Sequence, residues 1–244
     1  VYPVINPDSG GATGSSLLGS SLGIVAVVLL LPPMLGLRRS LPHRGVRHVA
    51  GLLALHFLAF LLLDHGNRSH HQLDQVVALA TLFVWLPLLY RYLGSWVWPP
   101  ESRGWLRAAA VWGCLLLLSG FAAFLPGLLE RWKFTNVLVA HAHVALAGLV
   151  SCLDVLVLQS LRRQGTRDVF ATGSGIWHAG LAIQVAALFA VGLLEAGDPG
   201  LLFRPAALVD LLYGLRWIGG ALMLAAAWRW LQAARTSVAG EAAP

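Results

Sequence analysis

Long apolar runs divided by short charged connectors make up most of this chain. Runs of about 20 residues suit helices that cross the roughly 30 Å of a bilayer's hydrocarbon core. The pattern predicts seven of them: Ser15 to Leu37, Val46 to Leu63, Leu73 to Leu93, Leu106 to Leu129, Phe134 to Leu161, Thr172 to Glu195 and Pro205 to Leu231. None shows the short apolar-polar alternation of a barrel strand, so helices are the expected way for the backbone to satisfy itself in lipid. The expected fold is an all-α polytopic membrane protein. Residues 1–14 form a short segment outside the membrane, 15–233 a seven-helix domain and 234–244 a cytoplasmic tail.

Composition sharpens that picture. Of the 244 residues 57% are hydrophobic and 11% charged, against roughly a quarter charged in soluble domains. Lys and Arg collect in cytoplasmic loops. Arg38, Arg39, Arg44 and Arg47, then Arg91, Arg103 and Arg107, then Arg162, Arg163 and Arg167, then Arg229 and Arg235, fall on one side. Arg68, Arg131, Lys133 and Arg204 fall on the other. With seven spans this puts the N-terminus outside and the C-terminus in the cytoplasm. The net charge of +6 follows from that bias, and no aromatic-basic strip suggests nucleic-acid binding. The bilayer is the partner the composition asks for.

Cys114 and Cys152 both lie in predicted spans without a CxxC spacing, which suits buried apolar roles better than a disulfide. The opening VYPVINPDSGGATGSS has neither the basic start nor the apolar core of a signal peptide. A first residue other than methionine is expected of a processed chain or of the later part of a longer one.

The chemistry concentrates at His141-Ala142-His143, inside the fifth run. Ionisable side chains are costly there and point to function. At roughly 100° per residue the two imidazoles lie about 200° apart, so they serve two groups on opposite faces rather than one ion. A helix between two hemes fits that geometry. Ala140, Ala142, Ala145, Ala147 and Gly148 are expected to leave room for flat rings on both sides; close helix packing accounts for the same small residues but not for the imidazoles. His141 lies about seven residues from Phe134, hence on the order of 10 Å deep. Arg68, Arg131, Lys133 and Arg204 at that end suit either heme propionates or interfacial snorkelling.

Other polar groups have two readings each. His70-His71, in a loop with Asp64, His65 and Arg68, is either solvated or a copper or zinc pair. His56 and His178 suit buried histidines bonded to a neighbour's carbonyl, or cofactor ligands. Asp154 and Asp210 are the chief buried carboxylates expected, with Asp64 near a helix end; Asp154 suits a proton relay or a structural hydrogen bond.

The stretch from Lys133 to Gly148, KFTNVLVAHAHVALAG, resembles the tenth helix of the catalytic subunit of heme-copper oxidases, in particular the C-family oxidases and nitric oxide reductases. The resemblance makes His141 the ligand of a high-spin heme and His143 that of a low-spin heme. His56-Phe57 followed by His70-His71 resembles the seventh helix and its copper-binding pair. Trp177-His178 resembles the start of the eleventh helix, and Tyr213-Gly-Leu-Arg216-Trp-Ile-Gly219-Gly220 the start of the twelfth. The chain then corresponds to helices six to twelve of a twelve-helix fold.

It departs from that family at several positions. No histidine precedes His43 to act as a third copper ligand, Asp64 stands where the C family has a tyrosine, and Ser119 or a neighbour stands for a glutamate. Helix two, which carries the second ligand of the low-spin heme, has no counterpart. The resemblance and its gaps imply a heme-binding subunit of a respiratory electron-transfer complex, carrying one or two b hemes. Other membrane subunits, among them a heme-bearing chain, would supply the missing helices. Half of a split oxygen or nitric oxide reductase and a cofactor-free membrane anchor are the other two readings. An electron-transfer or accessory subunit suits the residues better than an independently catalytic enzyme.

Overall fold

The computed structural model describes residues 14–40, 44–63, 72–162 and 168–241, and within them the chain is helical with no strand. The helices are α1 (Gly14–Met34), α2 (Arg44–Leu63), α3 (Leu73–Gly94), α4 (Ser102–Phe124), α5 (Asn136–Leu161), α6 (Ser174–Gly197) and α7 (Ala207–Glu241). Five of these, α3 to α7, are long and apolar enough to cross a membrane. In α1 and α2 the apolar stretches Gly19–Met34 and His48–Leu62 are shorter. The fourth helix stops at Phe124, five residues before the predicted end, because Pro126 cannot extend the ladder and Gly127 turns left-handed at φ +80°.

The chain forms two compact units, residues 1–98 with 117–133, and residues 99–116 with 134–244. The core of the first is made by Leu22 and Val25 of α1, Ala78, Leu79, Leu82 and Trp85 of α3, and Phe124. Proline shapes both of its main helices. Pro33 has no N–H to offer the carbonyl of Leu29, and the Tyr92 hydroxyl donates to that carbonyl instead at 2.6 Å. Gly36, at φ +66°, then closes α1, with the Leu37 amide donating to the Pro32 carbonyl and the Gly36 amide to that of Pro33. In α3 the helix tightens to a 3-10 turn at Thr81–Val84, which includes Phe83, the residue whose carbonyl Pro87 cannot donate to.

In the second unit α6 packs on both α5 and α7. Glycines allow this. A Cβ on Gly180 would lie 2.6 Å from the Gly219 carbonyl oxygen, and one on Gly219 would lie 2.6 Å from that of Gly180. Small residues at such a crossing let two backbones touch, which is how apolar helices gain dispersion energy in lipid. Trp105, Phe170, Trp177 and Trp230 cluster beside this crossing, with ring centroids 5.2 to 5.9 Å apart around Trp230. A polar clasp holds the chain between α5 and α6: buried Ser102 donates to Gln159 at 3.0 Å, Gln159 donates to Asp168 at 3.0 Å, and Arg162 pairs with Glu101.

Candidate functional site

The helix that carries His141 and His143 is fixed at its start. Thr135 is extended and its hydroxyl accepts from the Val137 amide at 3.2 Å, an N-cap. Glu195 of α6, 6% exposed, accepts from the Asn136 amide at 2.7 Å and from the Asn136 side chain. A carboxylate at a helix N-terminus satisfies orphan amides and matches the helix dipole. Gly192, one turn before Glu195, seats the Val137 backbone: a Cβ there would overlap the Val137 amide nitrogen.

Glu195 was not among the expected carboxylates. Among the described residues Glu195 is the buried acid, whereas Asp154 and Asp210 are exposed. Replacing Glu195 by alanine should cost about 1.5–3 kcal/mol, since it strips a charged acceptor from two donors. Thermal unfolding in detergent checks this; an unchanged midpoint would rule the clamp out.

Beyond the pair the helix changes character. Asn136–His143 is α-helical, Val144–Val150 is π-helical and Ser151–Leu161 is α-helical again. The buried face explains the π segment. Ala140, Val144, Gly148 and Cys152 are spaced by four and all are buried, whereas in a regular α-helix positions four apart drift by about 40° per step. Wider turns absorb the drift, and such π insertions are frequent at functional sites. Gly148 meets Trp112, with 2.9 Å left for a Cβ against the indole. Ala140 and Gly148 therefore do not leave room for a ring, contrary to the expectation from their size; the space is filled by packing. Ala142 is the small residue that is exposed, and both histidines sit half-buried on the flanks between the two faces.

Hydrogen bonding sorts the histidines. The His143 Nδ1 lies 2.8 Å from the Val139 carbonyl oxygen, one turn back. A carbonyl only accepts, so Nδ1 carries the proton and Nε2 keeps its lone pair. That is the tautomer of a metal-ligating histidine, whose other nitrogen donates to a carbonyl. His56 and His178 are the reverse. The Trp85 indole N–H donates to His56 Nδ1 at 2.8 Å, and the Trp112 indole N–H donates to His178 Nδ1 at 3.2 Å. An indole only donates, so in both rings the proton lies on Nε2. Their partners are tryptophans rather than the carbonyls expected, and neither offers a lone pair to a metal. His178 also packs against Trp105 at a tilt of 59°, with centroids 4.9 Å apart.

Replacing His178 by alanine should therefore destabilise the second unit by about 1–3 kcal/mol, from the unpaired Trp112 N–H. Cofactor content per folded chain should stay the same. Loss of heme in proportion to His178 would contradict this assignment.

The remaining candidates divide simply. His70 and His71, with Asp64, His65 and Arg68, lie outside the described residues. Arg204 pairs with Asp198 in the α6–α7 connection, and Arg131 is exposed. Cys114 and Cys152 are both free thiols, Cys152 fully buried. Among the described residues no three His, Cys, Asp or Glu side chains gather as they would around a metal ion. The HxH turn places its two imidazoles half-buried on opposite flanks of the helix. The chain matches no protein-family profile, no curated protein and no solved structure.

Proposed function

We propose that this chain is a heme-binding subunit of a respiratory electron-transfer complex in a bacterial inner membrane. It crosses the bilayer seven times, with the N-terminus outside and the C-terminus in the cytoplasm. The observation that carries the proposal is the His143 tautomer: Nδ1–H on the Val139 carbonyl and a lone pair left on Nε2, next to a π-helical turn. His56 and His178, whose Nδ1 atoms accept from indole N–H groups, hold the opposite tautomer.

In this reading His143 holds a low-spin b heme and His141, on the opposite flank, a high-spin one. The resemblance to the tenth helix of heme-copper oxidases supports the order. When bound, a heme supplies a one-electron carrier whose potential follows its axial ligands and burial. The chain's own residues do the rest. The Val139 carbonyl orients the His143 ring and raises its basicity. Thr135 and Glu195 set the position of the helix, and Trp112 against Gly148 sets its rotation. A partner chain would supply the further protein ligand that a low-spin heme needs. Copper at His70 and His71 belongs to the reading as a split oxygen or nitric oxide reductase, completed by that partner.

A reduced-minus-oxidised spectrum of the purified complex, with copper analysis, tests the proposal. We expect a b-type signal belonging to this chain and no stoichiometric copper. Heme with copper and turnover of oxygen or nitric oxide would shift the assignment to the split enzyme, and no heme would leave a membrane anchor.

A further inference from the structure

The face of α5 opposite its buried side is also continuous. Val139, Ala142, Leu146, Val150, Asp154 and Leu158 follow one another at intervals of three or four residues, and every one is exposed. Five are what a lipid-facing helix shows. Asp154 is not.

Its depth can be read from the chain. The nearest charged residue on the same helix end is Arg162, eight residues on, so Asp154 sits about 12 Å along the axis from that charge, with apolar Val155 to Leu158, buried Gln159, half-buried Ser160 and apolar Leu161 between. A two-bond side chain cannot reach back over that distance as Lys and Arg do. An exposed carboxylate at this level of a spanning helix faces hydrocarbon unless something covers it, and carboxylates inside membranes pair with opposite charges or polar groups.

We propose that this stripe of α5 is the docking face for a transmembrane helix of a partner chain, and that the helix presents a lysine or arginine to Asp154. Charge complementarity chooses the occupant. A second copy of this chain related by a two-fold axis would bring Asp154 against Asp154, and a lipid tail offers it nothing. The inference rests on the membrane reading and is independent of heme. It deepens the partner part of the proposed function, because the stripe runs past the flank that carries His143, 11 residues from Asp154.

The test uses the full chain in phosphatidylcholine vesicles with dye-labelled leucine-alanine model helices. Three versions carry lysine, leucine or glutamate at one position, eight residues from a basic end. Energy transfer reports binding. Interhelical polar pairs in membranes correspond to roughly 3- to 20-fold in affinity. The lysine helix should bind more tightly than the leucine helix by that factor, and the glutamate helix no more tightly than leucine. Asp154→Asn should abolish the lysine preference, while His143→Ala should keep it, which separates this failure from a failure of the heme assignment. Equal binding of all three helices would overturn the proposal. So would a lysine preference that survives Asp154→Asn, or self-association of the chain that depends on Asp154.

Discussion

His143→Ala is expected to remove the low-spin b-type signal entirely while leaving the chain folded. The ring is half-buried and its one intramolecular bond is the Nδ1–H to the Val139 carbonyl. That carbonyl sits one helical turn back and keeps its ladder role when the ring is gone, so the structural loss is small. On the proposed assignment an iron held by His143 would, by contrast, lose its protein ligand outright. His143→Gln is the informative companion, because it restores a donor near Val139 without an imidazole lone pair. Loss of the signal in both variants, with unfolding midpoints within about 1 kcal/mol of the parent, assigns His143 to the iron. If the glutamine variant keeps the full spectrum, the histidine is structural and the assignment fails. His141→Ala should by the same logic remove a high-spin signal.

The second large effect is expected at Gly192. A methyl group there has no room, since the space is occupied by the Val137 amide and the Asn136 carbonyl carbon, both backbone. Backbone cannot rotate away, so α5 and α6 must part. Overpacking of this kind costs about 1–3 kcal/mol, and it opposes the 0.5–1 kcal/mol or so that alanine normally gains over glycine in a helix. The shift also disturbs Glu195 on Asn136, one turn away, and hence the start of the helix that positions the histidines. Gly192→Ala should lower the thermal midpoint in detergent and reduce heme retention together. Gly214→Ala is the control: nothing lies within 4 Å of its Cβ position, and it should be neutral or stabilising. Equal behaviour of the two variants would show that the Gly192 contact carries no weight.

These two predictions differ in how far the sequence foretold them. The helices were legible because apolar runs of 20 residues have few other uses, and their starts and stops mostly follow proline and glycine. Two ends differ from the pattern: α4 stops at Phe124, five residues early, at Leu125-Pro126-Gly127, and α7 runs on to Glu241, ten residues past Leu231 and through most of the expected tail, because no proline or glycine follows Leu231 before Gly240. His141 and His143 stood out because polar groups are rare in such runs, and the His143 bond to Val139 is local, four residues back. The rest depends on distant partners. Asn136 and Glu195 are 59 residues apart, Trp85 and His56 29, and Trp112 and His178 66, and a single sequence carries no signal that joins them. Glu195 closes a predicted span, where position alone does not separate an interfacial acid from a buried one. The π turn is equally silent, since VALAGLV has nothing that separates it from an α-helical segment; the four-residue spacing of buried residues shows it only once the partner of each is known.

The central claim is that an imidazole of this chain binds heme iron, and heme-to-chain stoichiometry tests it most directly. The purified complex, denatured in alkaline pyridine, should give a b-type hemochrome of one or two per copy of this chain, falling by one in His143→Ala. A complex with the chain present at full stoichiometry and the same heme content with or without His143 would contradict it.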